Sequence, residues 1–244
     1  MSILPRPTFP VYEIVIPSLK KKVKYRPYLS KEEKVLSIAM ESEDITEITS
    51  AIKMVLQNCI QTKDIDVEKL ATFDIEYLFL NIRAKAVGEE IEIKVICPDD
   101  PTGETYVPVK INVNDIQVTE VEGHTNKIQI DDALMMEMRY PSFSYFIQEQ
   151  FTMPEKTEDK INKGYDLIAS CVDKIYKDDE IWLADDVGKE EVIEFLNNLT
   201  TGQFVKIQTF LDTMPQLRHE VEVENPNTGV KSKVTLSGMV DFFI

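Results

Sequence analysis

One stretch, TFDIEYLFLNIRAKAVG at 72–88, restricts the possible folds of this chain more than any other. At roughly 100° per residue, Phe73, Tyr77 and Leu80 share one side of a helix, while Ile75, Leu78, Phe79, Ile82 and Ala86 spread over the other. That is more than one apolar stripe. Such a helix is either sandwiched between layers, or packed on one side and offered to another chain on the other. Interface cores are rich in these aromatics and domain cores are as well, so both readings stand, with internal burial first. Gly88 follows, where a left-handed C-cap is expected.

The elements before it are short. VYEIVI and VKYRPY, joined by PSLKKK, predict a hairpin over 11–28, with Pro27 at an edge. Ser30 and Glu33 have the spacing of a capping box for a helix over 31–40. Ile45, Ile48, Ile52, Val55, Leu56 and Cys59 recur at three and four residues, which predicts a second helix from 44 to 60.

From Glu90 the period changes to two. Ile91, Ile93 and Val95 alternate with Glu92 and Lys94, and Val107, Val109, Ile111 and Val113 with Pro108, Lys110 and Asn112. PDDPTG at 98–103 is turn chemistry between them. KIQI at 127–130 and the residues around Met136, Met138 and Tyr140 read as further strands. One wet face implies an antiparallel sheet backed by helices. After Pro141, helices are expected at 143–151, 158–176, 189–198 and 203–214, then a hairpin turning on NPNTG at 225–229. The fold class is therefore α+β: an N-terminal hairpin with helices, a central antiparallel β region, a helical second half and a C-terminal hairpin. The division is into 1–140 and 141–244, or a single interlocked domain.

Several functions are disfavoured by composition. With 43 acidic against 27 basic residues, a net charge of −16, the chain lacks the basic excess that phosphate binding needs. Neither direct nucleic-acid binding nor an anionic membrane is expected as a partner. Lys20, Lys21, Lys22 and Lys24 read as a solvated hairpin tip. Cys59, Cys97 and Cys171 are too scattered for a disulfide framework and suit a reduced, cytoplasmic protein. No signal peptide and no membrane span is expected.

Catalytic motifs are missing too. GxGxxG and GxxxxGK[ST] do not occur, and neither His124 nor His219 stands at a motif spacing from Ser, Cys or a second His. Asp178-Asp179, Asp185-Asp186 and Glu89-Glu90 read as solvated surface, because separation and burial make an acid/base pair, not adjacency. Cys97 lies where a zinc knuckle would put a thiolate, yet CPDDPTGETY offers no second ligand at the required spacing. No cofactor, no metal and no enzymatic activity are expected. Trp182, in KIYKDDEIWLADD, is a candidate partner anchor, or a residue fixing a loop to the core.

Three stretches together resemble one family. IPSLKKKVKYRPYLSKEEKVLSIAMES followed by DITEITSAIKMVLQNCI matches an IPS hairpin, an RP-[FY]-L edge, a K-E-E-K helix and an A-I-K…N-C helix. TFDIEYLFLNIRAKAVGE matches its acidic-aromatic-Leu-Phe-Leu helix closing in I-R-A-[KR]-[AS]-V-G-E. LSGMVDFFI looks like its closing strand, glycine and D-F-F. This is the T4-type baseplate hub family of contractile-tailed bacteriophages, whose members are hub subunits or hub-assembly factors. Relatives often carry cysteine pairs as zinc knuckles in the hairpin after the VGE motif, and sometimes in the last hairpin. Here Cys97 stands alone and NPNTG has none, so turn residues are expected in place of a metal staple.

The resemblance implies a baseplate hub protein that assembles through protein–protein contacts with other baseplate or hub proteins. It would act in the host cytoplasm during assembly and in the virion tail baseplate. A transient hub-assembly chaperone absent from the virion is the alternative, and a hydrolase using Asp or Glu with a histidine is a second. Phe73, Tyr77, Phe79, Trp182, Phe242 and Phe243 are the candidate interface residues.

Overall fold

The computed structural model describes residues 7–42, 44–142 and 157–243, and these make an α+β fold. They fall into two units: one takes the residues within Met1–Thr119 and Gln216–Ile244, the other those within Glu120–Pro215. The expected division into 1–140 and 141–244 is corrected by this arrangement. The chain leaves the first unit after β5 (Gln117–Thr119) and re-enters it at β10 (Gln216–Glu224), where Thr119 and Gln216 are cross-strand partners. The second unit is thus an insertion. Its boundary is closed by pairing between residues far apart in sequence, which leaves no local mark.

The first unit opens with the hairpin β1 (Tyr12–Ile16) and β2 (Lys21–Tyr25), in register from Tyr12↔Tyr25 to Ile16↔Lys21. Helix α1 (Ser30–Glu41) follows, but its N-cap is Leu29 and not Ser30. The leucine has no side-chain acceptor, so only half a capping box exists: the Glu32 carboxylate takes the Leu29 N–H at 2.8 Å. Arg26 holds the same carboxylate, and that buried pair sets the start of the helix. Helix α2 (Ile45–Cys59) has the predicted span. Asp44 accepts from the N–H groups of Thr46 and Glu47, and Ile52, Val55, Leu56 and Cys59 are buried along one stripe.

Helix α3 (Thr72–Val87) is buried nearly all round, and Ile75, Leu78, Leu80 and Ile82 are fully inaccessible. Its two sides meet different layers. It touches α2 and β1, and also β5, β10 and the terminal helix α8 (Gly238–Phe243). Leu80 and Ala84 join a core built from Ile91 and Val95 of β3 (Glu90–Ile96), Ile111 of β4 (Tyr106–Asn112), and Leu217 and Val221 of β10. The sandwiched reading of this helix is the one realised. Gly88 takes φ 135° and ψ 159°, not the left-handed cap expected, although its N–H still reaches the Ala84 carbonyl at 3.1 Å. Strands β3 and β4 pair as the alternation implied, Ile91 opposite Ile111 and Val95 opposite Val107. β10 is the middle strand of a second sheet, between β5 and β11 (Lys231–Ser237).

The inserted unit is a four-stranded antiparallel sheet in the order β6 (Lys127–Gln129), β7 (Leu134–Met138), β8 (Val172–Lys177), β9 (Glu180–Leu183). With it come α4 (Thr157–Cys171), a short α5 (Ala184–Val187), α6 (Lys189–Asn197) and α7 (Thr201–Thr213). The helix expected over 143–151 lies outside the described residues. The helix expected to reach Tyr176 stops at Cys171. Val172 and Ile175 are three apart and suit either structure, but the β-branched VDKIYK run pairs with β7 on one side and β9 on the other. Met136, Met138, Cys171, Val172, Leu196, Ile207 and Phe210 form the core of this unit.

Candidate protein interface

Four polar clamps fix the surfaces of the first unit. The amide of Ser18, in the β1–β2 tip, donates to Asp74 at 2.9 Å, and its hydroxyl donates to the other oxygen of the same carboxylate. Asp74 is fully buried on α3, and burial pushes its pKa up against these bonds. The tip lysines are exposed as expected, yet the tip itself is pinned. Arg26 donates to Glu32 at 3.0 Å and to the Pro27 carbonyl at 2.9 Å. Lys85 pairs with Glu89, which also takes an Asn114 amide at 2.9 Å. At Gly238, φ is 71° and an added Cβ would stand 3.3 Å from Glu76 Oε1, so glycine is needed there.

The fourth clamp joins two hairpin turns. Asp99, in the turn after β3, accepts from Asn225 Nδ2 at 3.0 Å and from Thr228 Oγ1 at 2.6 Å. Asn227 Nδ2 reaches Thr105 Oγ1 at 3.2 Å. These are the two turns in which the resemblance puts cysteine pairs. The clamp itself is made of amides, hydroxyls and the Asp99 carboxylate. The two turns hold a single thiol, Cys97, which does not fit the four thiolate or imidazole ligands of a closed structural zinc site. Among the described residues no cluster of three or more His, Cys, Asp or Glu is placed to hold a metal ion.

The titratable groups singled out in the sequence are locked into packing. All three cysteines are buried, and burial raises their thiols, Cys59 and Cys171 to about 11. His124 Nδ1 lies 2.9 Å from Thr213 Oγ1 and Nε2 lies 3.0 Å from the Tyr140 hydroxyl. Thr213 spends its own proton on the Thr209 carbonyl at 2.6 Å. Nδ1 therefore donates and Nε2 accepts, which leaves a neutral imidazole with both nitrogens engaged. The ring stacks on Phe210 and Tyr140, and burial lowers its pKa. His219 lies on β10 opposite Leu236. Of the acidic pairs, Asp185 is gripped by Arg139 through two bonds at 2.7 and 3.1 Å.

The candidate interface residues do not gather in one place. Phe73, Phe79 and Phe242 are between 2% and 5% exposed, so they are core residues; their expected interface role is corrected. Tyr77 is half-buried against the same core as Leu80 and Phe242. The Phe243 side chain lies outside the described residues. Trp182 differs: it stands on β9, opposite Ile175 of β8, and is 36% exposed. The sequence reading missed its neighbours Ile181 and Leu183, both exposed. The available signal was EIWL itself, an apolar run bounded on both sides by acids. A second exposed apolar group, Val35, Ile38 and Met40, lies along α1 of the first unit. No described helix is long and apolar enough to cross a membrane.

A family model described as T4 bacteriophage base plate protein matches residues 9–244. No curated protein and no solved structure matches the chain.

Proposed function

Because the chain belongs to the T4 bacteriophage base plate protein family, we propose that it is a baseplate hub subunit that works through protein–protein contacts and catalyses no reaction. The family match across residues 9–244 carries this reading. The fate of the chemical groups supports the non-catalytic part: buried thiols with raised pKa values are poor nucleophiles, and both His124 nitrogens are already bonded. Its partners are other baseplate or hub proteins, met in the host cytoplasm and kept in the virion tail. The net charge of −16 keeps the free subunit from associating with itself before assembly.

The test is a phage deprived of this chain, together with mass spectrometry of purified wild-type particles. Absent baseplates in the first and stoichiometric presence in the second support a subunit. Absent baseplates with no chain in the particle would make it an assembly chaperone. Normal baseplates without the chain would overturn the proposal.

A further inference from the structure

β9 differs from every other described strand: all four of its residues, Glu180–Leu183, are exposed. It is an edge of the four-stranded sheet, hydrogen-bonded to β8 on one side only. In an antiparallel ladder alternate residues aim their N–H and C=O groups at opposite neighbours, so the outer side of β9 carries a row of unpaired backbone groups. Ile181 is 60% exposed and Leu183 42%, on one face of the strand, with Trp182 on the other. Three other edges carry protection, and two that lack lysine and proline, β1 and β5, do not expose every residue as β9 does. β4 has Pro108 and Lys110 facing outward, β11 has Lys231 and Lys233, and β6 shows solvent only Lys127 and Gln129. β9 has no lysine and no proline.

Charge identifies what fits there. Asp178, Asp179 and Glu180 precede the apolar residues, and Asp186, Glu190 and Glu191 follow. All are exposed, and none has an ion-pair partner among the described residues. Two copies of β9 pairing with each other would bring these acids together, which opposes self-association through this edge. A basic strand would meet both the apolar centre and the acidic flanks.

We propose that β9 is the docking edge for an extended segment of another baseplate protein, one that carries lysine or arginine on either side of apolar residues and adds to the sheet as its next strand. This inference rests on the baseplate reading above. Backbone bonding would supply affinity and the flanking charges would set register and partner choice.

The experiment complements a phage lacking the chain with full-length variants whose folding is first checked by circular dichroism and urea midpoint. Ile181→Lys, at a solvated position, is expected to fold and to cut infectious yield at least tenfold. Asp179→Lys combined with Glu180→Lys should do the same, whereas Val205→Lys on the exposed face of α7 should leave yield unchanged. Benzoylphenylalanine at Leu183, photolysed in assembling phage, should cross-link to a lysine- or arginine-bearing peptide of another baseplate protein. Wild-type yield from both β9 variants overturns the proposal, as does a cross-link to a second copy of this chain, to an acidic peptide, or to nothing. If omission of the whole chain leaves yield intact, the baseplate reading itself has failed, an outcome distinct from the others.

Discussion

Replacing Glu32 with glutamine removes a buried charge while keeping the shape of the side chain. Arg26 is 7% exposed and Glu32 1%, so water compensates neither. Glu32 Oε1 takes Arg26 Nη2 at 3.0 Å, and Oε2 takes the Leu29 N–H at 2.8 Å. The guanidinium also lies 5.4 Å from the centre of the Phe9 ring and bonds the Pro27 carbonyl, so it cannot swing out without losing both. Removing one partner of such a pair costs about 3–5 kcal/mol, largely because the other charge is stranded. Lys31 Nζ also stands 3.4 Å from Oε1, but it is exposed. The loss is therefore set by Arg26 and the Leu29 N–H, of which glutamine's carbonyl oxygen keeps one, and is expected to be about 3 kcal/mol. With a urea m-value of about 2 kcal/mol per molar, the midpoint should fall by about 1.5 M. The pH dependence gives a second check. Burial alone would raise the Glu32 pKa, but the bonds from Arg26 and the Leu29 N–H bring it below the ordinary value. A carboxylate lowered in the folded state stabilises fully above its unfolded pKa, about 4.3, and loses that contribution as pH falls through the folded value. Wild type and variant should therefore differ most at neutral pH and converge in acid. A control with Arg26→Met and Glu32→Leu together should lose less than Glu32→Gln alone. A neutral-pH midpoint shift below about 0.3 M, or a gap that persists at pH 2, would refute the reasoning.

Other residues give further tests. Phe79→Asp places an unpaired carboxylate in the layer beside α3 and should cost more than about 4 kcal/mol, seen as lost helical circular dichroism; a folded variant that merely loses partners would make α3 a docking face. Asn225→Ala removes the buried amide that bonds both Asp99 oxygens, leaving only the exposed Thr228 and Asn227 bonds across the two turns. The backbone amides of 97–105 should then exchange with deuterium at least about tenfold faster, and unchanged rates would remove the clamp from the account. His124 is lowered by burial, so its contribution is complete above about pH 6.5 and is lost as pH falls through the lower folded value. His124→Gln should flatten the stability profile below about pH 6.5 in urea titrations, and an unchanged slope would contradict the neutral, doubly bonded ring.

How much of this was legible in the sequence depended on whether the deciding contact was local. Helix α2 could be read because its cap, Asp44, and its stripe lie within one run. The β3–β4 hairpin could be read because alternation and turn chemistry are also local. The strand β8 could not, since Val172 and Ile175 fit a helix until β7 and β9 are placed beside them. The double crossing at Thr119 and Gln216 depends on one pairing and left no trace in composition. The candidate site suffered from the same limit. Aromatic content marked Phe73, Phe79 and Phe242, but only the layers around α3 reveal that these rings are already covered. The motif residues behind the family resemblance also acquire a reason. Ser18, Arg26, Glu32, Lys85, Glu89 and Gly238 each sit in a clamp or tight turn of the first unit, so the resemblance is carried by residues that hold the scaffold together.

The pairing of Thr119 with Gln216 also sets an order of events during synthesis. Leu217, Val221 and Phe242 leave the ribosome only after the whole inserted unit has been made. Until then the side of α3 that carries Leu80 and Ala84 has no β10 against it. Closing a loop that long costs conformational entropy that grows with the logarithm of its length, and prior folding of the insert shortens the loop to be closed. The nascent first unit thus waits half-built, with an apolar helix face covered only by β3 and β4, for the elements that follow the insert.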